Sequence, residues 1–110
     1  MKVRLIKKET IEKYVVDNAR ARSSFRIWLS SLKYADWKQP EDIMTLFNSA
    51  DLLGRGTNRV VFDVGGNNYR MIGQYLFGVT KVHLYIKWIG THAEYDKLCA
   101  SGKQYNINEY

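Results

Sequence analysis

The stretch "HAEYD" places His92, Glu94, Tyr95 and Asp96 within five residues, directly after an apolar strand pattern and a glycine. A histidine suits proton transfer near neutral pH. Upstream, Arg70 follows a tyrosine in "NNYRMI", and its planar guanidinium matches phosphate oxygens. These types fit cleavage of a phosphodiester whose nucleophile is the substrate's own 2′-OH. Such a reaction needs one group to take that proton and another to protonate the leaving 5′-oxygen. It also needs cations on the charged transition state. Each residue also has an ordinary role. A lone tyrosine usually packs its ring, and a lone arginine on a strand is usually a solvated edge residue.

Other chemistries find little support. Cys99 is the single cysteine, and the two histidines, His83 and His92, are nine residues apart, so no ligand cluster for a structural zinc site is expected. Cys99 closes the helical pattern "YDKLC" and reads as a small buried hydrophobe. The glycine-containing "GRGTN" lacks the spacing of a phosphate loop, and no G-x-S-x-G or H-E-x-x-H motif occurs.

Arg70 and His92 must be positioned by the elements around them. "KVRLIKK" alternates as a short first strand, and "ETIEKYVVDNA" follows as a helix with Thr10 as its N-cap. Phe25, Trp28, Leu29 and Leu32 form one apolar stripe on a second helix with basic flanks. "PEDIMTLFN" reads as a short third helix opened by proline and acids. Three strand patterns come next: "RVVFDV", then "YRMIGQYLF" after the turn "GGNN", then "TKVHLYIKWI" after Gly78. In the last, Val82, Leu84, Ile86 and Trp88 alternate with Lys81, His83, Tyr85 and Lys87. Gly90 ends that strand, and a closing helix starts at Ala93. The expectation is an α+β fold in one domain, residues 1–110, with an N-terminal strand and helices packed on a small antiparallel sheet. One sheet face is expected to be open and basic, suited to tracking a nucleic-acid backbone.

Charge points the same way. Seventeen Lys and Arg face eleven Asp and Glu, a net of +6, as in small domains that meet a polyanion. Residues 54–92 carry Arg55, Arg59, Arg70, Lys81 and Lys87 against one acid, Asp63. No apolar run is long enough to span a bilayer and no secretion signal is visible. With one cysteine, a cytoplasmic setting is expected.

Two segments together resemble the HigB toxins, a branch of the RelE superfamily of bacterial toxin–antitoxin systems. One is Ile89, Gly90, Thr91, His92, Ala93, Glu94, Tyr95 and Asp96; the other is Asn67, Asn68, Tyr69 and Arg70. The resemblance implies a RelE-like ribonuclease toxin fold and ribosome-dependent cleavage of translated mRNA, with no metal and no cofactor. It also implies neutralisation by a cognate HigA-like antitoxin of helix-turn-helix type. By this resemblance Arg70 binds the scissile phosphate, and His92 stands where RelE relatives place a second arginine. RelE also carries a lysine pair on the strand before its Tyr-Arg element. Here that strand offers Arg59 and Asp63. The catalytic expectation is therefore Arg70, His92 and Tyr95, with Arg55, Arg59 and Lys87 on RNA backbone. The rival readings are a non-catalytic RNA- or ribosome-binding module, and a protein-interaction module using the apolar helix.

Overall fold

The computed structural model describes residues Met1–Tyr110. In chain order the elements are β1 (Lys2–Ile6), α1 (Glu9–Asp17), α2 (Arg22–Leu32), α3 (Asp42–Leu46), β2 (Asp51–Leu52), β3 (Arg59–Val64), β4 (Tyr69–Phe77), β5 (Lys81–Thr91) and α4 (His92–Ala100). The strands form one sheet in the order β1-β5-β4-β3-β2. The fold is α+β, and β3, β4 and β5 form the antiparallel meander that their turns predict. The sheet as a whole is mixed, not antiparallel. β1 pairs parallel with β5, Lys2 opposite Lys81 through Ile6 opposite Tyr85. The helices between them return the chain across the sheet, so both strands run the same way, as a hairpin cannot arrange.

Helix starts differ from expectation: α3 begins at Asp42, two residues after Pro40, and α4 at His92, one residue before Ala93. α1 begins at Glu9 with Lys8 in the capping position and no side-chain cap, so Thr10 lies inside the first turn. Lys7 takes a left-handed φ of 60° to make the sharp turn from β1. Glu9 and Glu12 then complement the positive end of the helix.

The larger core lies between α1–α3 and one sheet face. Phe25, Trp28 and Leu32 are buried along α2, as their spacing predicts, and meet Phe62, Met71 and Leu84 from the strands. Trp28 stacks on Phe47 at 5.4 Å between centroids, and both meet the edge of Phe62 at 5.1 Å. Tyr69 joins Tyr14 and Phe25 in a second aromatic group at 6.4 and 6.0 Å. Tyr69 therefore anchors the start of β4 to the helices, and the pleat sends its neighbour Arg70 to the opposite face.

That opposite face is not open along its length. Val61, Ile72 and Trp88 form a small second core, covered by Leu53, by Tyr95 and Leu98 of α4, and by Ile107. Trp88 was expected beside Val82, Leu84 and Ile86, which face the helices. A β-bulge explains the change. Ile72 pairs with Trp88, but Gly73 pairs with Ile86, leaving Lys87 without a partner on β4. One extra residue reverses the alternation, so Trp88 turns to the α4 side while Ile89 returns to the helical core.

Candidate active site

Three strand ends and one helix start meet at a single end of the sheet. The turn Gly65–Asn68 sets Asp63 opposite Arg70 and Val64 opposite Tyr69. On the other side Arg70 faces Gly90, and Tyr69 faces Thr91. Two consecutive glycines in left-handed conformation, Gly65 at 66° and Gly66 at 64°, make this turn. α4 leaves β5 directly at His92, whose backbone N–H donates to the Asn68 carbonyl at 3.1 Å. The two segments that resemble HigB toxins are thus stitched together.

Arg70 is held rather than free. Its side chain is 11% exposed, and its Nε donates to Asp63 Oδ1 at 3.1 Å. Nη1 donates to the Tyr69 carbonyl at 3.1 Å and to the Gly66 carbonyl at 3.4 Å. The guanidinium has five N–H donors, so these contacts fix its plane while Nη2 remains for another acceptor.

His92 is the first residue of α4, with its side chain 48% exposed and Nδ1 3.6 Å from Asp96 Oδ1. Its position depends on a complete capping box. Glu94 N–H donates to Thr91 Oγ1 at 3.2 Å, and Thr91 N–H donates to Glu94 Oε1 at 2.8 Å. Glu94 is therefore occupied in holding the helix start. Asp96 pairs with His92 and is itself exposed.

Gly90 lies within β5, which continues to Thr91, so it does not end the strand. A Cβ there would stand 2.4 Å from the Trp88 ring, which crosses over this residue. Trp88 in turn packs on Tyr95 at 6.0 Å. Burial, a hydrogen bond with Cys99 and the Asp51 charge push the Tyr95 hydroxyl well above its usual range, with Arg70 pulling the other way. Tyr95 is thus a neutral hydroxyl, able to donate but unfit to act as a base.

Arg55, Arg59 and Lys87 are placed elsewhere. Arg59 and Asp63 share a face of β3 four residues apart, about 13 Å along the strand. Arg59 is 6% exposed, contrary to the open surface expected of it. Its Nη1 donates to the Gln104 carbonyl at 3.3 Å, and burial pulls its pKa down. Arg55 lies 4.2 Å over the Tyr105 ring, and Lys87 donates to Asn108 Oδ1 at 3.2 Å. All three lie against residues 104–108.

No three His, Cys, Asp or Glu side chains converge to hold a metal ion, and no helix is long and apolar enough to cross a membrane. Two site residues escape a reading of single residue types: Asp63 as the partner of Arg70, and Glu94 as a capping residue. Both leave a signal. The four-residue turn "GGNN" dictates the Asp63–Arg70 register, and Thr91-x-x-Glu94 is a capping-box spacing.

Much of this sequence is shared with known proteins. The family model for HigB toxins, described as the RelE-like toxic component of a toxin–antitoxin system, matches residues 21–98. The chain is similar to the mRNA interferase HigB of Escherichia coli strain CFT073, 38% identical over 90 residues, covering 82% of each chain. It is also similar to the mRNA interferase HigB of Shigella flexneri, 37% identical over 60 residues, covering 54% of this chain and 56% of that protein. The matched span of residues 21–98 includes Asp63, Arg70, the capping box and His92.

Proposed function

The chain belongs to the HigB family of RelE-like toxins, and from that membership we propose that it is an mRNA endoribonuclease that cuts translated mRNA on the ribosome. The family is the toxic component of a toxin–antitoxin system, so an antitoxin is its partner. We assign that partner to the HigA-like helix-turn-helix class and the site of action to the cytoplasm.

The observation that carries the catalytic reading is that the fixed Arg70 guanidinium and the exposed His92 belong to the same end of the sheet. In this reading the free edge of Arg70 binds the scissile phosphate. It gains strength as negative charge grows on the non-bridging oxygens, which is where stabilisation lowers the barrier. His92 takes the proton of the 2′-OH. The 2′-oxygen then bonds to phosphorus as the bond from phosphorus to the 5′-oxygen breaks. The products are a 2′,3′-cyclic phosphate and a 5′-hydroxyl, the latter protonated from solvent at this open end. Tyr95 donates its hydroxyl hydrogen to hold the attacking sugar, since its raised pKa keeps it neutral. In this reading Arg70, His92, Tyr95 and solvent carry the steps, with no metal or cofactor.

The test is a reconstituted translation reaction with a reporter mRNA. The expected result is cleavage with ribosomes and none of the naked mRNA, with loss of about 100-fold or more in Arg70→Ala and His92→Ala. Equal cleavage of naked RNA refutes ribosome dependence. Wild-type rates in both variants refute the catalytic assignment. Salt-dependent RNA binding without any cleavage makes the chain a binding module instead.

A further inference from the structure

The three cations expected on RNA backbone all touch one stretch of the chain, beneath which Arg59 is buried while Lys87 stays half-buried and Arg55 exposed. Beyond α4, Gly102 takes a left-handed φ of 70° with open space about it, and a single 3-10 turn follows at Lys103–Tyr105. From there residues 104–109 cross the sheet face opposite the helices. The Gln104 carbonyl accepts from Arg59 Nη1 at 3.3 Å, and the Tyr105 ring lies under the Arg55 guanidinium at 4.2 Å. Asn108 Oδ1 accepts from Lys87 Nζ at 3.2 Å. The Glu109 N–H then donates to the Lys87 carbonyl at 3.0 Å.

The chemistry of these contacts is specific. Each cation meets either an oxygen acceptor or an aromatic face. Those are the two things a single strand of RNA presents: phosphate oxygens for a lysine or arginine, and a base for a guanidinium to stack upon. The segment supplies them without a carboxylate touching any of the three cations. Its hold is modest, since each contact is one neutral acceptor or one ring. Ile107 is its apolar anchor, packed on the Val61, Ile72 and Trp88 cluster.

We propose that residues 103–109 form a displaceable strap that occupies the path of an RNA strand over Arg55, Arg59 and Lys87, and that RNA binding swings it away about Gly102. The proposal rests on the reading that this protein acts on RNA, and it deepens that reading by naming what holds RNA off the basic face. A strap of this kind makes affinity for free RNA low and reserves the basic face for a strand delivered in place, with binding energy enough to lift it.

The experiment compares the full chain with a triple strap variant, Tyr105→Ala, Ile107→Ser and Asn108→Ala, each with and without Arg59→Gln. The probe is a fluorescein-labelled single-stranded oligouridine, read by anisotropy across a salt series, with folding checked by circular dichroism. Freeing the face is expected to tighten binding about tenfold. It should also steepen the salt dependence by about 1.4, near 0.7 for each phosphate newly met by Arg59 and Lys87. Arg59→Gln removes both the strap contact and the RNA contact in the full chain, so it should weaken binding less there than in the strap variant. Unchanged or weaker affinity in a folded strap variant overturns the proposal, as does an equal effect of Arg59→Gln in both backgrounds. Where the variant does not fold, hydrogen exchange on the unaltered chain decides. The Glu109 amide must lose protection when oligouridine saturates the protein, and retained protection overturns the strap. Cleavage of translated mRNA by the full chain is followed in parallel. Its absence counts against the endoribonuclease reading, whereas tighter binding by the strap variant upholds the strap alone.

Discussion

Replacing Asp63 by asparagine tests whether Arg70 works because it is held. The substitution keeps the shape and one acceptor oxygen but removes the charge facing Arg70 Nε at 3.1 Å. The exchange turns an ion pair into a hydrogen bond from the charged guanidinium to a neutral amide oxygen, and the loss is about 1–1.5 kcal/mol. Asp63 is 23% exposed and Arg70 11%, so solvent screening trims this to about 1 kcal/mol. In a domain of this size that lowers the melting temperature by about 4 °C. A double-mutant cycle with Arg70→Gln should return a coupling of about 1 kcal/mol. The catalytic effect is larger than the stability effect. Without the carboxylate, two carbonyl contacts at 3.1 and 3.4 Å on the same nitrogen remain, and they allow the guanidinium plane to swing. Misplacement by roughly 1 Å costs on the order of 100-fold, so kcat should fall about 10- to 100-fold. KM should barely change, because the positive charge is still present. Both constants come from initial rates of reporter-mRNA cleavage in reconstituted translation, and the cycle from urea unfolding. Unchanged kcat together with zero coupling refutes the reasoning, since Asp63 then neither holds nor aims Arg70.

Gly90→Ala puts a methyl group 2.4 Å from the Trp88 ring, so the indole must move. The expected cost is about 1–3 kcal/mol in urea unfolding, with a change in near-ultraviolet circular dichroism from the tryptophan. Thr91→Ala removes the cap on α4 and should lower stability by about 1 kcal/mol while reducing cleavage, because His92 is the next residue. Tyr14, pushed up to about 12 mainly by burial, and Tyr95, raised further, both favour the neutral hydroxyl in the folded state. Their contribution is fully present below the ordinary tyrosine value of 10.0 and is lost progressively as pH rises above it. Stability measured against pH should therefore fall above that value, with Tyr95→Phe flattening the fall; an unchanged slope in that variant removes Tyr95 as its source.

The meander was legible because alternation and the "GGNN" turn are local signals, and the α2 stripe because helical spacing is equally local. The parallel pairing of β1 was not legible, since nothing near residues 2–6 records a partner at residues 81–85. Trp88 misled for a different reason. Residues 82–88 alternate without a break, and the bulge at Lys87 is a property of the pairing with β4. Only the apolar doublet Trp88–Ile89 hints that the strand serves two cores. At the site, Arg70 and His92 stood out by chemical type and do share one sheet end. Arg59 stood out by charge and is buried, because the polar-looking "KQYNINE" that covers it carries no periodicity announcing a packed segment.

The pairing of β1 with β5 also governs when this protein can become harmful during its own synthesis. β1 emerges first, yet its register partners begin at Lys81, and Thr91, which faces Tyr69 and caps α4, is made later still. A nascent chain that ends before β5 has neither a neighbour for β1 nor a helix to carry His92. The sheet closes, and Arg70 and His92 come to share its end, only after more than four-fifths of the 110 residues have been translated. Sequence separation on this scale also slows closure, because loop entropy opposes the pairing until both strands are available. On the reading proposed above, a ribosome making this chain meets a complete site only when it has almost finished.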